Sequence, residues 1–259
     1  MPIATGTAEL RRERDDPDGV TLLVNGVPSS HLDLVDPTSL EFEYMQYMAA
    51  VVAGLPTGPV DAVHLGAAGC ALARAVHAAR PGSRQLAVEI DPVLADLVRH
   101  WFDLPRSPAL RIRAGDARAE LTRLADASAD VVVRDAFAGD GTPSHLVTRE
   151  FVGHVARVLR PGGVYLANCA DSPPFDVARG ETATLAGVFD HVAVIAEAGV
   201  LRGRRYGNLV LAGSDDEDLL ASPALARTLR SLPVPARIRV GEEARAFAVG
   251  ARVRRDPAT

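Results

Sequence analysis

Asp135 follows the apolar run Asp130 to Arg134 and precedes a loop, Ala136 to Pro143, that can close over a bound molecule. A carboxylate so placed can take a proton from an attacking nucleophile. Its alternative is a structural cap at a strand end. Three other features stand at corresponding points upstream. The loop Gly66-Ala67-Ala68-Gly69 follows a buried-type run and opens a helical one. Its small residues let a ligand approach the backbone, and the next helix offers free N–H groups. Glu89 ends the next run, where its carboxylate can accept from both hydroxyls of a ribose. Asp116, after Gly115, can accept from an adenine amino group or cap the following helix. The loop lacks the GxGxxG pattern, because Ala68 holds the second required glycine position. Together the three features fit an S-adenosyl sulfonium ligand better than a nicotinamide dinucleotide.

The remaining ionisable groups read as scaffold. His64 lies inside a strand and is expected to be a satisfied core histidine. His145 and His154 read as loop and helix-surface residues, and the three make no metal constellation. Strand alternation turns Arg134 to the face opposite Asp135. Arg202, Arg204 and Arg205 read as a solvated hairpin, yet any one of them facing the pocket would favour an acceptor that carries a carboxylate.

These residues need a frame, and the hydrophobic periodicity supplies one. Residues 1–19 are polar and read as a loose arm. The Asn25-Gly26 pair between apolar runs predicts a hairpin, with His31 to Leu34 continuing the small sheet. Thr38 or Ser39 is expected to cap a helix carrying Phe42, Met45, Met48, Val51 and Val52. From residue 60, strands at 60–65, 84–90, 110–114, 130–134 and 164–167 alternate with helices at 71–80, 92–103, 117–125, 147–160 and 175–187. Strands 192–197 and 206–212 are joined too closely for a crossover helix and are expected to be antiparallel. A single helix over 215–231 and a surface tail complete the reading. The expected fold is α/β: a Rossmann-like, mainly parallel sheet with an antiparallel end hairpin, preceded by a small β-subdomain. Residues 1–53 form the arm, hairpin subdomain and linking helix, and residues 54–259 the nucleoside-binding catalytic domain.

Composition removes several classes. The 259 residues carry a net charge of −5 and contain no lysine, so Schiff-base chemistry, pyridoxal phosphate catalysis and a lysine phosphate loop are excluded. The acidic balance argues against a duplex nucleic-acid binder. No apolar run reaches bilayer length, and the opening MPIATGTAELRRERDD lacks the apolar core of a secretory signal, so no membrane association and a cytoplasmic location are expected. Cys70 and Cys169 are far apart and offer neither a zinc ribbon nor a disulfide framework.

The ordered series VHLGAAGCALARAV, VEIDP, GDA, DVVVRDAF with LVTREF, and LRPGGVYLANC, together with LVNG and EFEYMQYM upstream, resembles the polyamine aminopropyltransferases, the spermidine synthase family. The similarity runs from about residue 22 to 213 and points to a spermidine-synthase-like branch. It implies an S-adenosylmethionine-dependent methyltransferase fold with an N-terminal β-subdomain, and a homodimer. It also implies a donor that is decarboxylated S-adenosylmethionine or S-adenosylmethionine, with methylthioadenosine or S-adenosylhomocysteine as product and no metal. The acceptor is a small-molecule amine. By the same resemblance Asp135 is the catalytic base. Gly66, Ala67, Glu89, Ile90, Asp116 and Ala117 hold the donor, and Tyr44, Gln46, Asp140 and Tyr206 line the acceptor side.

The departures are specific. The family's amine-binding aspartate in the glycine loop is Gly69 here, and its second acid, three residues after the catalytic one, is Ala138. Its His-Glu pair is Met45-Gln46, and its hairpin glutamine is Ser29. The nucleoside half is kept while the polyamine half is largely stripped. Two other readings of the residues remain: a methyltransferase or aminocarboxypropyl transferase on the same fold, and a catalytically silent nucleoside-binding protein.

Overall fold

The computed structural model describes residues 1–139 and 141–257. Asp140, expected on the acceptor side, lies outside the described residues.

The first thirty-odd residues form a sheet, not an arm. Strands β1 (Pro2–Ile3), β2 (Gly6–Glu13), β3 (Asp16–Val24) and β4 (Val27–Asp33) pair antiparallel in sequence order. The charged residues Arg11 to Glu13 that suggested a solvated arm are exposed on both faces at the end of β2, while Ala8, Val20, Leu22 and Leu32 are buried. Polarity misled because a sheet covered on one face needs apolar residues only at alternate positions. The expected hairpin is present: Asn25 and Gly26 both have positive φ, 53° and 79°, as a two-residue turn between paired Val24 and Val27 requires.

Helix α1 (Glu43–Ala53) follows, buried through Tyr44, Met45, Tyr47, Met48, Val51 and Val52. It starts later than Thr38 or Ser39, and Phe42 at its N-cap offers no side-chain cap. The Thr38 N–H and hydroxyl are instead bound by Asp36.

The alternation then proceeds through β5 (Asp61–Leu65), α2 (Ala71–Ala79), β6 (Arg84–Glu89), α3 (Pro92–Trp101), β7 (Leu110–Ala114), α4 (Ala117–Thr122) and β8 (Ala129–Arg134). Beyond a 3-10 turn, Ser144–Leu146, come α5 (Arg149–Val158), β9 (Leu159–Asp171), α6 (Asp176–Leu185) and β10 (His191–Glu197). A one-turn helix α7 (Ala198–Leu201) fits into the link before β11 (Gly207–Ser214). The helix expected over 215–231 is two, α8 (Glu217–Ala221) and α9 (Pro223–Ser231), because Ser222 leaves helical geometry before Pro223 and caps the second. The tail also departs from expectation. Strand β12 (Ala236–Val240) pairs antiparallel with β10, and α10 (Gly241–Phe247) packs behind it.

The large sheet runs β12-β10-β11-β9-β8-β5-β6-β7, and β9, β8, β5, β6 and β7 are mutually parallel. Strands β10 and β11 are antiparallel, as expected. Two apolar layers cover it. On one side α1, α2, α3 and α9 pack with Val131 and Val133, and on the other α4, α5 and α6 pack with Val132. The carboxyl ends of β5, β6, β7 and β8 therefore share one edge, where an open α/β sheet binds its ligand.

Candidate functional site

At that edge Asp135 leaves β8 with its N–H donated to the Leu65 carbonyl at 2.8 Å. The glycine loop passes directly over it. A Cβ on Gly66, whose φ is +86°, would stand 2.3 Å from the Asp135 carbonyl oxygen, so no other residue fits.

The Asp135 carboxylate is held from two sides. The Tyr44 hydroxyl donates to Oδ2 at 2.8 Å, and the Asn168 amide donates to Oδ1 at 3.0 Å. Burial pushes its proton affinity up, opposed by those two hydrogen bonds and by the charge of Arg134. Tyr44 is itself driven well above the ordinary phenol range by burial and by the neighbouring carboxylate. Within this pair Tyr44 is the hydrogen-bond donor and Asp135 the acceptor.

Arg134 turns the other way, as alternation demands. It is fully buried, donating to Glu181 at 2.5 Å, to Tyr165 at 3.2 Å and to Thr142 of the following loop at 2.5 Å. Arg205 pairs with Glu197, and Arg202 and Arg204 lie on the exposed surface. The case for a carboxylate-bearing acceptor, which needed one of these arginines in the pocket, loses its support.

On the donor side, Glu89 is buried and engaged. Its Oε2 accepts from Ala68 N–H at 2.9 Å and its Oε1 from Asp91 N–H at 3.1 Å. Each oxygen keeps a further acceptor lone pair, which suits a ribose diol. Ile90 beside it is 59% exposed, an open apolar surface of the kind a flat base covers. Asp116 does cap α4, accepting from Ala119 N–H at 2.9 Å, and its second oxygen meets His145 Nε2 at 2.8 Å. Burial works against its charge, but Ala119 and His145 outweigh that and hold Asp116 below the usual carboxylate range. His145 is thus more than a loop residue, for it ties the 3-10 turn to the expected base-binding acid. Ala117 is buried at the start of α4, and Ala67 is buried in the glycine loop.

The other expected contacts divide. Gln46 spends its amide nitrogen on the Leu40 carbonyl at 2.7 Å. Tyr206 stands just before β11 and is 60% exposed. Ser29 bonds the Val27 carbonyl, and it is Ser30 that reaches the glycine loop, accepting from Gly69 N–H at 2.9 Å. His64 is a core histidine, paired with Gln85 at 2.9 Å and pushed down to about 4 by burial. Between β4 and the glycine loop there remains a cavity of about 30 Å3, touched by Ser30, Met45, His64, Gly66 and Asp135.

Sequence reasoning missed Ser30, Asn168 and the pair Glu43–Asn208, joined at 3.1 Å beneath α1. For Asn168 a signal existed: it interrupts the apolar run of β9 at the level where β8 ends. Ser30 carried none, since its partner lies 39 residues away.

No family model matches the chain. Over 97% of its length it superimposes on a probable spermidine synthase from Corynebacterium glutamicum, with a TM-score of 0.91, 41% identity and 94% of that chain covered. Human methyltransferase-like protein 13, solved with SAH, aligns over 73% of this chain and 93% of its own at 26% identity and a TM-score of 0.58. The polyamine aminopropyltransferase of Vibrio vulnificus is 33% identical over 129 residues, 48% of this chain, and the match spans only 43% of that enzyme. The fold is thus that of the S-adenosylmethionine-dependent transferases, and its relatives are transferases. Within that class, the chain belongs to the spermidine-synthase-like family.

Proposed function

We propose that the protein transfers an alkyl group from an adenosyl sulfonium donor to a small amine, with Asp135 as base. One observation carries the reading. The Asp135 carboxylate is fixed by two donors, Tyr44 and Asn168, beneath the glycine loop, with its proton affinity raised by burial. A buried, oriented carboxylate of raised proton affinity is suited to take a proton from an amine during attack. Glu89 would hold the ribose and Asp116 the base amino group, with Ile90 against the ring. Holding donor and amine in line then provides much of the acceleration.

The acceptor is a weaker match to a polyamine. Each ammonium of a polycation needs its own partner, and Gly69 and Ala138 supply none. Residues 1–53 act in this reading as a cap, bringing Ser30 and Tyr44 onto the edge built by residues 54–259. The second reading, methyl transfer from intact S-adenosylmethionine, is favoured by the 26% identity to human methyltransferase-like protein 13 over 93% of that chain.

Incubation of the protein with an amine panel and each donor in turn tests both. Methylthioadenosine from the decarboxylated donor supports aminopropyl transfer, and S-adenosylhomocysteine from the intact one supports methyl transfer. Release of neither removes the transferase reading.

A further inference from the structure

Asn168 is 2% exposed, and its side-chain oxygen Oδ1 has no hydrogen-bond partner in the protein. The amide cannot be turned to relieve this. Its nitrogen must face the Asp135 carboxylate 3.0 Å away, because an oxygen there would confront another acceptor. The orphan acceptor is therefore imposed by the base itself. A buried polar atom left unpaired is costly, and one kept beside a reactive group is a place for a ligand donor.

Resting on the proposed transfer reaction, we infer that Asn168 contacts the acceptor: Oδ1 receives one N–H of the incoming amine while Asp135 receives another. The acceptor nitrogen then needs two N–H bonds in its attacking, neutral form, which makes the substrate a primary amine. In the step itself the nitrogen lone pair forms the new N–C bond as the donor's S–C bond breaks. The S–C electrons return to sulfur, giving a neutral thioether, and the proton released from nitrogen passes to Asp135. The second N–H stays on Asn168 throughout, fixing the lone pair toward the sulfonium carbon. A secondary amine satisfies only one of the two acceptors.

The test compares n-butylamine with N-methylbutylamine, read as nucleoside product released. Three proteins are used: wild type, Asn168→Leu and Asn168→Gln. Leucine keeps the volume and removes the acceptor, whereas glutamine keeps both an amide donor for Asp135 and an acceptor oxygen. Wild type should favour the primary amine by roughly ten- to a hundredfold, the range expected when a buried acceptor is left unpaired. Asn168→Leu should lose that preference, and Asn168→Gln should retain it, while all three bind methylthioadenosine alike. A merely structural role for Asn168 would slow both amines together and leave the ratio unchanged, and that result overturns the assignment. Absence of product from either donor with any amine would overturn the transfer reading on which it rests.

Discussion

Gly69 of the glycine loop donates its N–H to the Ser30 hydroxyl of β4 at 2.9 Å, and the two residues leave no space between them. A Cβ on Gly69 would stand 2.8 Å from both the Ser30 Cβ and the Leu32 Cδ1. By the family resemblance this is where an amine-binding aspartate is expected. Here the N-terminal sheet has taken that volume, so the missing carboxylate and the position of β4 are one structural fact.

Gly69→Ala should destabilise the fold by about 1–3 kcal/mol, the usual cost of overpacking a filled site. Combining it with Ser30→Gly should recover part of the loss. Urea midpoints of the two variants check this, and an unaltered midpoint for Gly69→Ala would show that β4 does not press on the loop. On the same ground, putrescine and spermidine should be poor acceptors beside simple monoamines in the product-release assay.

Glu89→Ala should weaken methylthioadenosine binding ten- to a hundredfold, since losing charge-assisted hydrogen bonds costs ~1.5–3 kcal/mol. It should also lower the melting temperature, because the N–H groups of Ala68 and Asp91 lose their acceptor. Calorimetric titration separates the effects. Equal affinity in wild type and variant would sink the ribose assignment whatever the stability.

Asp135→Asn preserves shape, and its amide can still accept from Asn168 and donate to the Tyr44 oxygen. Turnover should drop by ~10²–10⁴, the usual worth of a positioned base. Affinity for methylthioadenosine should stay within a few-fold, because the proposed donor contacts lie at Glu89 and Asp116. An unchanged rate would remove Asp135 from the mechanism. Joint loss of rate and nucleoside affinity would make it an organiser of the 136–143 loop.

His64 gives a pH prediction with a definite sign. Burial depresses its pKa from 6.5 to about 4, so the unfolded chain takes up a proton below 6.5 that the folded chain refuses. Its contribution to stability is full above 6.5 and falls as pH drops toward 4, by ~3 kcal/mol over that window. Asp135 and Glu181, both raised by burial, act in the opposite sense, favouring the folded state at lower pH. The His64 share is therefore read from the difference between wild type and His64→Gln in urea midpoints at pH 7 and 4.5. An imidazole that titrates near 6.5 by NMR in the folded protein would refute it.

The sequence by itself determined the α/β alternation, the Asn25-Gly26 hairpin, the antiparallel β10–β11 pair and the placing of Glu89, Asp116 and Asp135 at strand ends. Each is a local property: side-chain period, turn chemistry and the residue that follows an apolar run act within a few positions. It also determined that Arg134 faces away from Asp135, since neighbours on a strand alternate. Only the tertiary structure decided that residues 1–19 are strands, that β12 extends the sheet, and that Tyr44 and Asn168 meet on Asp135 from 91 and 33 residues away. It alone laid Ser30 against Gly69 and His145 against Asp116. Such contacts depend on how whole elements pack, and a sheet edge or a filled volume leaves no mark on the residues adjacent in the chain.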